Sequence, residues 1–456
     1  MEERIPSEPE IVVGLDIGTT KIATIIGYKN ESGKIDVLGY GKGESTGVQH
    51  GLILNITKTI NGINTSKDLA LKRAGKETED INGKVFVGVA GRHIKSFEYK
   101  HSIIRNKKAG DVIEEEEINN MIHEIERIQV APGEEIITVI PQRFIIDEKE
   151  ETNEPVGMLG RTICGYFQII TGNKSEIDKI LQCVNATGLH IEDITLEPIA
   201  SSMSCLTEEE KKHGVVLIDI GGGTTDIAIY HNGNPVFTKV IPIGGNVITS
   251  DIAQICKITD EMAEKLKIRF GTCFVDKSDS NNHIDIPQFG HPEPVEITET
   301  YLAQIIYARV NEILEKVKSE IANSGYAHKI QTNIVLTGGG AMLKDLRDLC
   351  QFTLSMPTRI GIPDKGFVST IAKELKHPIY STSMGLLKYG IQHFEKKKAH
   401  NEEPTWPEEP SKPKKGKENK EKKDNDRNGS GNKPKKDMWE KIQDFFKKLL
   451  IEDEMA

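Results

Sequence analysis

One short pattern occurs twice in this sequence and constrains its fold more than any other feature. An apolar run over residues 11–17 leads into DIGTTK (residues 16–21), and a second apolar run follows over residues 22–27. Residues 215–230 repeat the arrangement around DIGGGTT (residues 219–225). Short apolar runs bounded by glycine predict buried strands joined by a tight turn. Two such hairpins in one chain predict a duplicated α/β architecture.

The turns of both hairpins have the composition of a phosphate-binding loop. Glycine lacks a Cβ and tolerates positive φ, so the backbone N–H groups of such a turn can approach a phosphate closely. Threonine hydroxyls add donors, and Lys21 adds a positive charge. Asp16 and Asp219 lie at strand ends just before the turns, where opposed carboxylates suit a hydrated Mg²⁺. Each turn alone also fits an ordinary glycine hairpin, and their repetition favours phosphate binding.

Two further glycine-rich segments lie outside the hairpins. Residues 338–340 are three glycines between a predicted strand, 334–336, and a helix predicted from Ala341. The backbone there can approach a flat base, or it turns tightly without a ligand. Residues 41–47 lack the GxxxxGK[ST] spacing of a Walker loop, which occurs nowhere in the chain,. We interpret them as a connecting loop.

Apolar periodicity predicts the remaining elements. Helices are predicted over residues 112–129, 174–187, 197–206, 251–256, 261–270 and 301–322. Strands are predicted over residues 135–146, 165–171 and 189–196. The polar residues 275–293, which include proline and glycine, are predicted as loop,.

With its three glycine loops in this order, the sequence resembles the superfamily of actin, sugar kinases and DnaK-type chaperones. Within that superfamily it is similar to the FtsA family of bacterial cell-division proteins, over residues 11–395. The matching stretches are residues 13–24, 215–251, 263–271 and 336–341, with 141–144 and 155–158 similar to that family's inter-lobe region.

The resemblance implies an α/β, two-lobed actin-like ATPase fold with duplicated phosphate-binding hairpins, and ATP and Mg²⁺ in the cleft. By motif position, the cofactor-binding residues would be Asp16, Gly18, Thr19, Thr20, Lys21, Asp219, Gly221, Gly222, Gly223, Thr224, Thr225, Glu264, Lys267, Gly338, Gly339, Gly340 and Met342. Asp16 and Asp219 would hold the metal, and Glu264 and Lys267 would contact ribose and adenine. Residues 338–340 and Met342 would border the base.

Glu197 lies where this superfamily places a water-orienting Gln or Glu. A general base at that position is chemically reasonable. The alternative is structural, because an acidic residue is common in the first turn of a helix. The resemblance implies at most weak ATPase activity.

The resemblance also implies a division into subdomains. The large subdomain of the first lobe would be residues 1–83, 165–200 and 380–396, with a family-specific small subdomain at 84–164. The large subdomain of the second lobe would be residues 201–239 and 306–379, with a small subdomain at 240–305. The tail would be a disordered linker, 397–436, and an amphipathic helix, 437–451.

The tail supports that division from its own composition. More than half of residues 397–436 are charged, and such a segment buries too little apolar area to offset chain entropy,. At helical spacing, one face of residues 437–451 is apolar and the other carries lysine, which is typical of a helix at a membrane surface. The predicted membrane-binding residues are Met438, Trp439, Ile442, Phe445, Phe446, Leu449 and Leu450. The alternative is docking onto the body or a partner helix.

Composition excludes several other classes. No apolar run approaches the length of a membrane span, and a net charge of -10 gives no indication of nucleic-acid binding,. The six cysteines are scattered, which argues against disulfides or a zinc site and fits a reducing cytoplasm,. The first residues lack the pattern of a secretory signal. Together with these exclusions, the resemblance implies a peripheral protein on the cytoplasmic face of the inner membrane, at the division septum.

The resemblance implies a protein that polymerises and binds the tubulin-like division protein FtsZ, anionic lipid and other division proteins. The FtsZ contact would lie in residues 240–305, where Glu293, Glu296 and Glu299 give an acidic surface. Two rivals share the superfamily fold. A small-molecule kinase would have no use for a membrane helix, and a chaperone would need a folded substrate-binding domain.

Overall fold

The two predicted hairpins form the centres of two five-stranded sheets in the computed structural model, which describes residues 9–105, 111–287, 289–290 and 293–401. Over these residues the strands are β1 (Val12–Ile17), β2 (Lys21–Lys29), β3 (Ile35–Glu44), β4 (Val48–Gln49), β5 (Leu52–Ile53), β6 (Val85–Val89), β7 (Lys95–Ile104), β8 (Glu134–Ile146), β9 (Glu150–Thr152), β10 (Thr162–Asn173), β11 (Ile191–Leu196), β12 (Val215–Ile220), β13 (Thr225–His231), β14 (Asn234–Ile241), β15 (His283–Ile286), β16 (Val295–Thr298), β17 (Ile334–Thr337) and β18 (Thr358–Ile360). The α-helices are α1 (Ile56–Ala74), α2 (Thr78–Ile81), α3 (Glu115–Ile125), α4 (Lys174–Asn185), α5 (Glu197–Cys205), α6 (Glu208–His213), α7 (Gly245–Cys256), α8 (Asp260–Phe270), α9 (Glu299–Asn323), α10 (Leu346–Leu354) and α11 (Ser381–Asn401).

The two five-stranded sheets have the same strand order and the same strand directions. The first sheet is ordered β11-β6-β1-β2-β3, and the second, read from its β18 edge, is β18-β17-β12-β13-β14. In each, the first strand of the hairpin pairs antiparallel with the second and parallel with a strand that comes later in the chain. The register is also equivalent, since Asp16 pairs with Ala23 and Asp219 with Asp226. The predicted duplication is confirmed.

A smaller antiparallel sheet is inserted in the chain between β6 and β11. Its order is β7-β10-β8-β9, and α3 packs on it through an apolar cluster that includes Met121 and Phe167. The insertion overlaps the small subdomain predicted at 84–164 and extends past its end, because its strands span Lys95–Asn173. Residues 85–89 form β6, a strand of the first large sheet.

The segment predicted as loop at 275–293 contains a strand, so that prediction was wrong over its middle. Ile284 and Ile286 are buried, and β15 pairs antiparallel with β16 in a two-stranded sheet. Two buried residues at alternate positions are enough for a short strand, but among polar neighbours they give a weak sequence signal.

The helix predicted from Ala341 begins later. Gly339–Met342 is a 3₁₀ turn, Asp345 has a φ of 65°, and α10 begins only at Leu346. A left-handed residue cannot continue a right-handed helix, so the third glycine loop is separated from α10.

Residues 41–44 belong to β3 and are not a connecting loop. Gly41 and Gly43 lie against α1, where a Cβ on either would overlap a backbone carbonyl oxygen of that helix. These glycines are therefore required by the close packing of α1 on the first sheet.

The last described helix, α11, continues through Asn401 and so includes the first residues of the segment predicted as linker from 397. The remainder of that linker and the predicted helix at 437–451 lie outside the described residues. Among the helices that are described, none has the length and apolar character needed to span a bilayer.

Helices α5 and α11 connect the two large sheets. α11 packs on β1 and β6, α5 contacts β12 and β13, and the two helices pack against each other. They approach so closely that a Cβ on Gly385 would overlap the carbonyl oxygen of Ala200. This contact brings Ser201 and Thr382 beside Asp219, at the end of β12.

Candidate functional site

The first phosphate-binding candidate is the turn between β1 and β2. Asp16 is buried at the end of β1, and its carboxylate accepts a hydrogen bond from the Lys21 ammonium. Lys21 also lies over the ring of Tyr380, 5.7 Å from its centroid. The lysine is thus held on the cleft side of its own turn.

The second candidate is the turn between β12 and β13, which is braced by the start of α7. The Gly221 N–H donates to the Thr224 carbonyl at 2.9 Å, and the Gly245 and Asn246 N–H groups donate to the Gly221 and Gly222 carbonyls at 2.9 and 2.8 Å. With these carbonyls engaged by α7, the turn is fixed in one conformation.

The two turns lie against each other across the cleft. A Cβ on Gly222 would overlap the Thr20 methyl, and one on Gly223 would come within 2.6 Å of the Thr19 hydroxyl. Only glycine fits at these positions, and the reason is the close approach of the first turn and of His50. The predicted phosphate residues of both hairpins, except Thr225, therefore line a single cavity.

His50, which sequence reasoning left unassigned, also joins the two lobes. It lies between β4 and β5 with a left-handed φ of 51°, and its Nδ1 donates to the Gly223 carbonyl at 3.1 Å. Next to it, the Gly51 N–H donates to the Thr19 hydroxyl at 3.3 Å. This short hairpin thus contacts both phosphate turns.

Four carboxylates gather in this cavity: Asp16, Glu197, Asp219 and Asp226. Burial, followed by the nearby Asp16, Asp226 and Asp219 carboxylates, raises the pKa of Glu197 well above its usual range. Burial and the Asp219 carboxylate do the same to the pKa of Asp226. Such like-charge crowding favours protonated forms until a cation enters.

Asp219 is the most extensively hydrogen-bonded of the four. Its Oδ2 accepts from the Ser201 hydroxyl at 2.6 Å and from the Thr382 hydroxyl at 3.4 Å. Burial raises the pKa of Asp219 to about 6, against the opposing effect of the Ser201 hydrogen bond. Near neutral pH this carboxylate is therefore ionised and fixed in direction.

The donor set fits Mg²⁺. No three His, Cys, Asp or Glu side chains among the described residues are placed to hold a metal ion by themselves. Mg²⁺ normally takes one or two carboxylates and completes its shell with waters and phosphate oxygens. One oxygen of Asp226, Oδ1, is buried without a hydrogen-bond partner among the described residues, and it is available to such an ion or its water.

A second cavity of ≈ 450 Å³ adjoins the first and is bordered by the third glycine loop. Gly338 has a φ of 83°, and a Cβ there would overlap the Asp219 carboxylate. On the opposite wall, Lys267 donates to the Gly245 carbonyl at 3.0 Å and pairs with Glu264 at 2.6 Å. Apolar residues close the inner end, among them Ile248, Val310, Ile313 and Leu314.

All the predicted cofactor-binding residues except Thr225 line one or both of the two cavities. The first cavity is lined by Asp16, Gly18, Thr19, Thr20, Lys21, Asp219, Gly221, Gly222, Gly223, Thr224, Gly338 and Gly339. The second is lined by Glu264, Lys267, Gly340 and Met342, together with Thr20, Gly221, Gly222 and Gly339. Thr225 borders neither cavity, because its hydroxyl is turned to the Ile243 carbonyl at 2.7 Å. The predicted membrane-binding residues, from Met438 to Leu450, lie outside the described residues.

Comparison with known proteins identifies the family. Residues 216–385 match the family model "Cell division protein FtsA", and residues 91–171 match "SHS2 domain inserted in FTSA". The cell division protein FtsA of Pseudomonas aeruginosa is 34% identical over 84% of this chain and 90% of its own length. The FtsA proteins of Escherichia coli K12 and Bacillus subtilis 168 are each 31% identical over 84% of this chain, and over 91% and 84% of their own lengths.

The chain belongs to the FtsA family.

Solved structures of other proteins share the fold of this FtsA-family chain. The PilM-PilN type IV pilus biogenesis complex includes a chain with a TM-score of 0.58 at 15% identity, covering 83% of this chain and 98% of its own. MreB 5 of Spiroplasma citri bound to AMPPNP has a TM-score of 0.50 at 15% identity, covering 86% and 98%. Together they establish the actin-like ATPase fold. The inserted sheet at 95–173 contains most of the residues that match the model of the SHS2 domain inserted in FTSA.

Three site residues of this FtsA-family chain escaped sequence reasoning: Lys42, His50 and Asp226. Asp226 had a usable signal, because it is a second aspartate directly after DIGGGTT. Lys42 and His50 had none, because each reaches the cleft only through the pairing of distant segments.

Proposed function

We propose that this chain binds ATP with Mg²⁺ in the cleft between its two large sheets. The observation that supports this most strongly is the meeting of both phosphate hairpins in one cavity with four carboxylates. The fold neighbour from Spiroplasma citri is described as bound to AMPPNP, which supports nucleotide binding by a chain of this fold.

Each part of the cavity has a separate task in this proposal. The N–H groups of Gly18, Gly222 and Gly223 and the hydroxyls of Thr19 and Thr20 donate to phosphate oxygens, while Gly221 and Thr224 maintain the second turn through their own hydrogen bond,. Lys21 adds a charge, and Asp16 and Asp219 hold the metal through oxygen ligands or their waters. Bound Mg²⁺ supplies the positive charge that the crowded carboxylates lack. The base occupies the second cavity, between Lys267 and the third glycine loop.

Glu197 is suited to orient a water rather than to drive fast turnover. It begins α5, is placed between the other carboxylates, and has a pKa raised by burial and by them. Burial and the neighbouring carboxylates favour its protonated form, and positive charge in the cavity favours the carboxylate that can act as a base,. We therefore propose weak ATPase activity that depends on the metal.

Calorimetric titration of the full chain with ATP tests the site. The wild type binds ATP in Mg²⁺ and binds it more weakly in EDTA. Asp219→Asn, which keeps the shape and removes the charge, lowers the affinity for Mg-ATP by on the order of 100-fold. Asp68→Asn, an exposed position on α1, is the matched control. Equal Mg-ATP affinity of wild type and Asp219→Asn would exclude this assignment.

Within the division role of its family, we propose that the chain forms filaments on the cytoplasmic face of the inner membrane at the septum. There it would tether FtsZ and contact other division proteins. The support for membrane binding is the amphipathic pattern of residues 437–451, next to Lys433, Lys435 and Lys436,. A single short helix binds reversibly, so stable attachment needs several tethers on one polymer.

The proposed FtsZ contact lies in residues 240–305, and we propose Glu293 and Glu296, but not Glu299, as its acidic residues. Glu299 is buried and accepts from the Asn282 amide at 2.8 Å, so it contributes to the start of α9 and is not a free surface charge. Glu296 is exposed and pairs with His283 at 2.6 Å. Charge reversal at Glu293 and Glu296 should lower the affinity for FtsZ. An unchanged affinity would count against a charge-based contact at these residues.

Co-sedimentation with anionic vesicles tests the anchor. Deletion of 437–456 or Phe446→Glu abolishes sedimentation, because membrane binding depends on burying the apolar face of the helix in the lipid surface. The ATP affinity is unchanged. Glu440→Gln, on the polar face, sediments like the wild type. Continued sedimentation after the deletion would place the anchor elsewhere in the chain.

A further inference from the structure

β3 carries glycine at every second position, at Gly39, Gly41 and Gly43. All three face α1, since a Cβ on any of them would overlap a carbonyl oxygen of that helix. Successive side chains of a strand point to opposite faces. Lys42 therefore leaves the sheet on the face away from α1.

That face is the cleft face. Ala23 pairs with Asp16 on one side and with Lys42 on the other, so these three residues form one row across β1, β2 and β3. Lys42 lines both the phosphate cavity and the base cavity. It lies where the two cavities join, together with Thr20, Gly221, Gly222 and Gly339, which also line both.

The lysines that line the two cavities differ in their partners. Three have carboxylates: Lys21 with Asp16, Lys267 with Glu264, and Lys344 with Glu299. Lys42 has neither an ion pair nor a side-chain hydrogen bond among the residues that the structure describes. The His377 ring, whose pKa is lowered by burial and by the charge of Lys42, lines the same cavity. This end of the cleft therefore has an uncompensated positive charge.

We infer that Lys42 is a further nucleotide-binding residue, which supplies a positive charge from the first lobe to the phosphates nearest the ribose of a nucleoside di- or triphosphate. The inference rests on the proposed nucleotide site. A nucleotide with its terminal phosphates in one cavity and its base in the other must place the phosphates nearest the ribose at the junction of the two cavities. An unpaired ammonium there gains a partner when the ligand binds.

Titration of full-length Lys42→Gln with ATP, ADP and adenosine in Mg²⁺ tests the inference. ATP and ADP bind about three- to tenfold more weakly than to the wild type, while adenosine binds equally well, because only the phosphates lose a contact. Lys42→Arg keeps the wild-type affinities. Since Lys42 is exposed at the cleft, the difference shrinks as salt is raised,. Lys34→Gln, an exposed lysine in the turn before β3, is the matched control.

The outcomes separate this inference from the proposed function. If the wild type binds ATP and Lys42→Gln binds ATP and ADP equally tightly, Lys42 is not a nucleotide ligand and the nucleotide site stands. If the wild type does not bind ATP, the proposed function fails, and this inference fails with it. If Lys42→Gln loses adenosine in proportion to ATP, the residue shapes the base cavity, and its assignment to the phosphates is overturned.

Discussion

The two phosphate hairpins have the same strand pairing and differ in the charges that they bring to the cleft. In the first sheet, the row across the three central strands is Asp16, Ala23 and Lys42. In the second sheet, the equivalent row is Asp219, Asp226 and Val240. The first hairpin also has Lys21, which contributes to a cationic side of the cleft. The second contributes a second carboxylate at the position of Ala23.

This difference assigns separate tasks to two copies of one design. The first lobe has Lys21 beside its one carboxylate of this row, Asp16, and the second has two carboxylates, Asp219 and Asp226, together with a braced glycine turn. Because Asp16 and Asp219 belong to different sheets and line one cavity, a metal–phosphate ligand there contacts both lobes. Without a bound cation, the ionised forms of Asp219 and Asp226 are unfavourable, because buried like charges repel each other.

Removing the extra carboxylate of the second hairpin is expected to give the largest effect on the stability of the ligand-free protein. Asp226→Asn replaces a buried ionisable group, whose charged form is unfavourable there, and keeps the Thr224 contact, so the ligand-free protein gains about 1–2 kcal/mol of unfolding free energy,. Mg-ATP affinity falls about tenfold, because a carboxylate is missing from the cation site. Urea unfolding in EDTA and calorimetry measure the two quantities.

The control for that change is Asp36→Asn, a carboxylate on β3 that is bonded to Asn30 away from the cleft. It is expected to leave both the Mg-ATP affinity and the unfolding free energy in EDTA close to the wild-type values. A loss of ligand-free stability in Asp226→Asn would show that Asp226 is a structural residue and that the two hairpins do not differ as described.

A change of pH sharpens the same comparison. The pKa of Asp219 is raised from 3.8 to about 6, so the folded protein binds this proton more tightly than the unfolded chain does. Its contribution to stability is greatest below the lower value and is lost as pH rises through about 6. Between pH 5 and 7 the ligand-free wild type should therefore lose about 1 kcal/mol relative to Asp219→Asn.

The measurement is the difference between the unfolding free energies of the two proteins at each pH, which cancels titrations that both share. Saturating Mg-ATP should flatten the wild-type curve, because a bound cation keeps Asp219 ionised. A difference that does not vary with pH would contradict the raised pKa.

The smallest expected effect concerns the contact between the hairpins. His50→Ala removes the hydrogen bond to the Gly223 carbonyl, and a fluorescent ATP analogue should dissociate about threefold faster,. His190→Ala, an exposed histidine near α4, is the control. An unchanged dissociation rate would mean that the hairpins are held together without His50.

Much of the site was predictable because its signals are local. Glycine at the turns, aspartate at the strand ends and threonine beside them can be recognised within a few residues, and their repetition reveals the duplication. Of the four carboxylates in the acidic cluster, the sequence predicts three, Asp16, Asp219 and Glu197, and Asp226 is the exception. The loop assigned to residues 41–47 was wrong in its first part, because glycine at alternate positions of a strand has the same composition as a loop.

The sequence by itself determined two hairpins, a third glycine loop and the family, since each depends on residue types at short, fixed spacings. Only the tertiary structure decided which side chains face the cleft. β-Pairing placed Lys42 in a row with Asp16, and the β4–β5 turn brought His50 to Gly223. Strand register and helix packing join segments far apart in the chain, and no local pattern specifies the neighbour that a side chain meets across them.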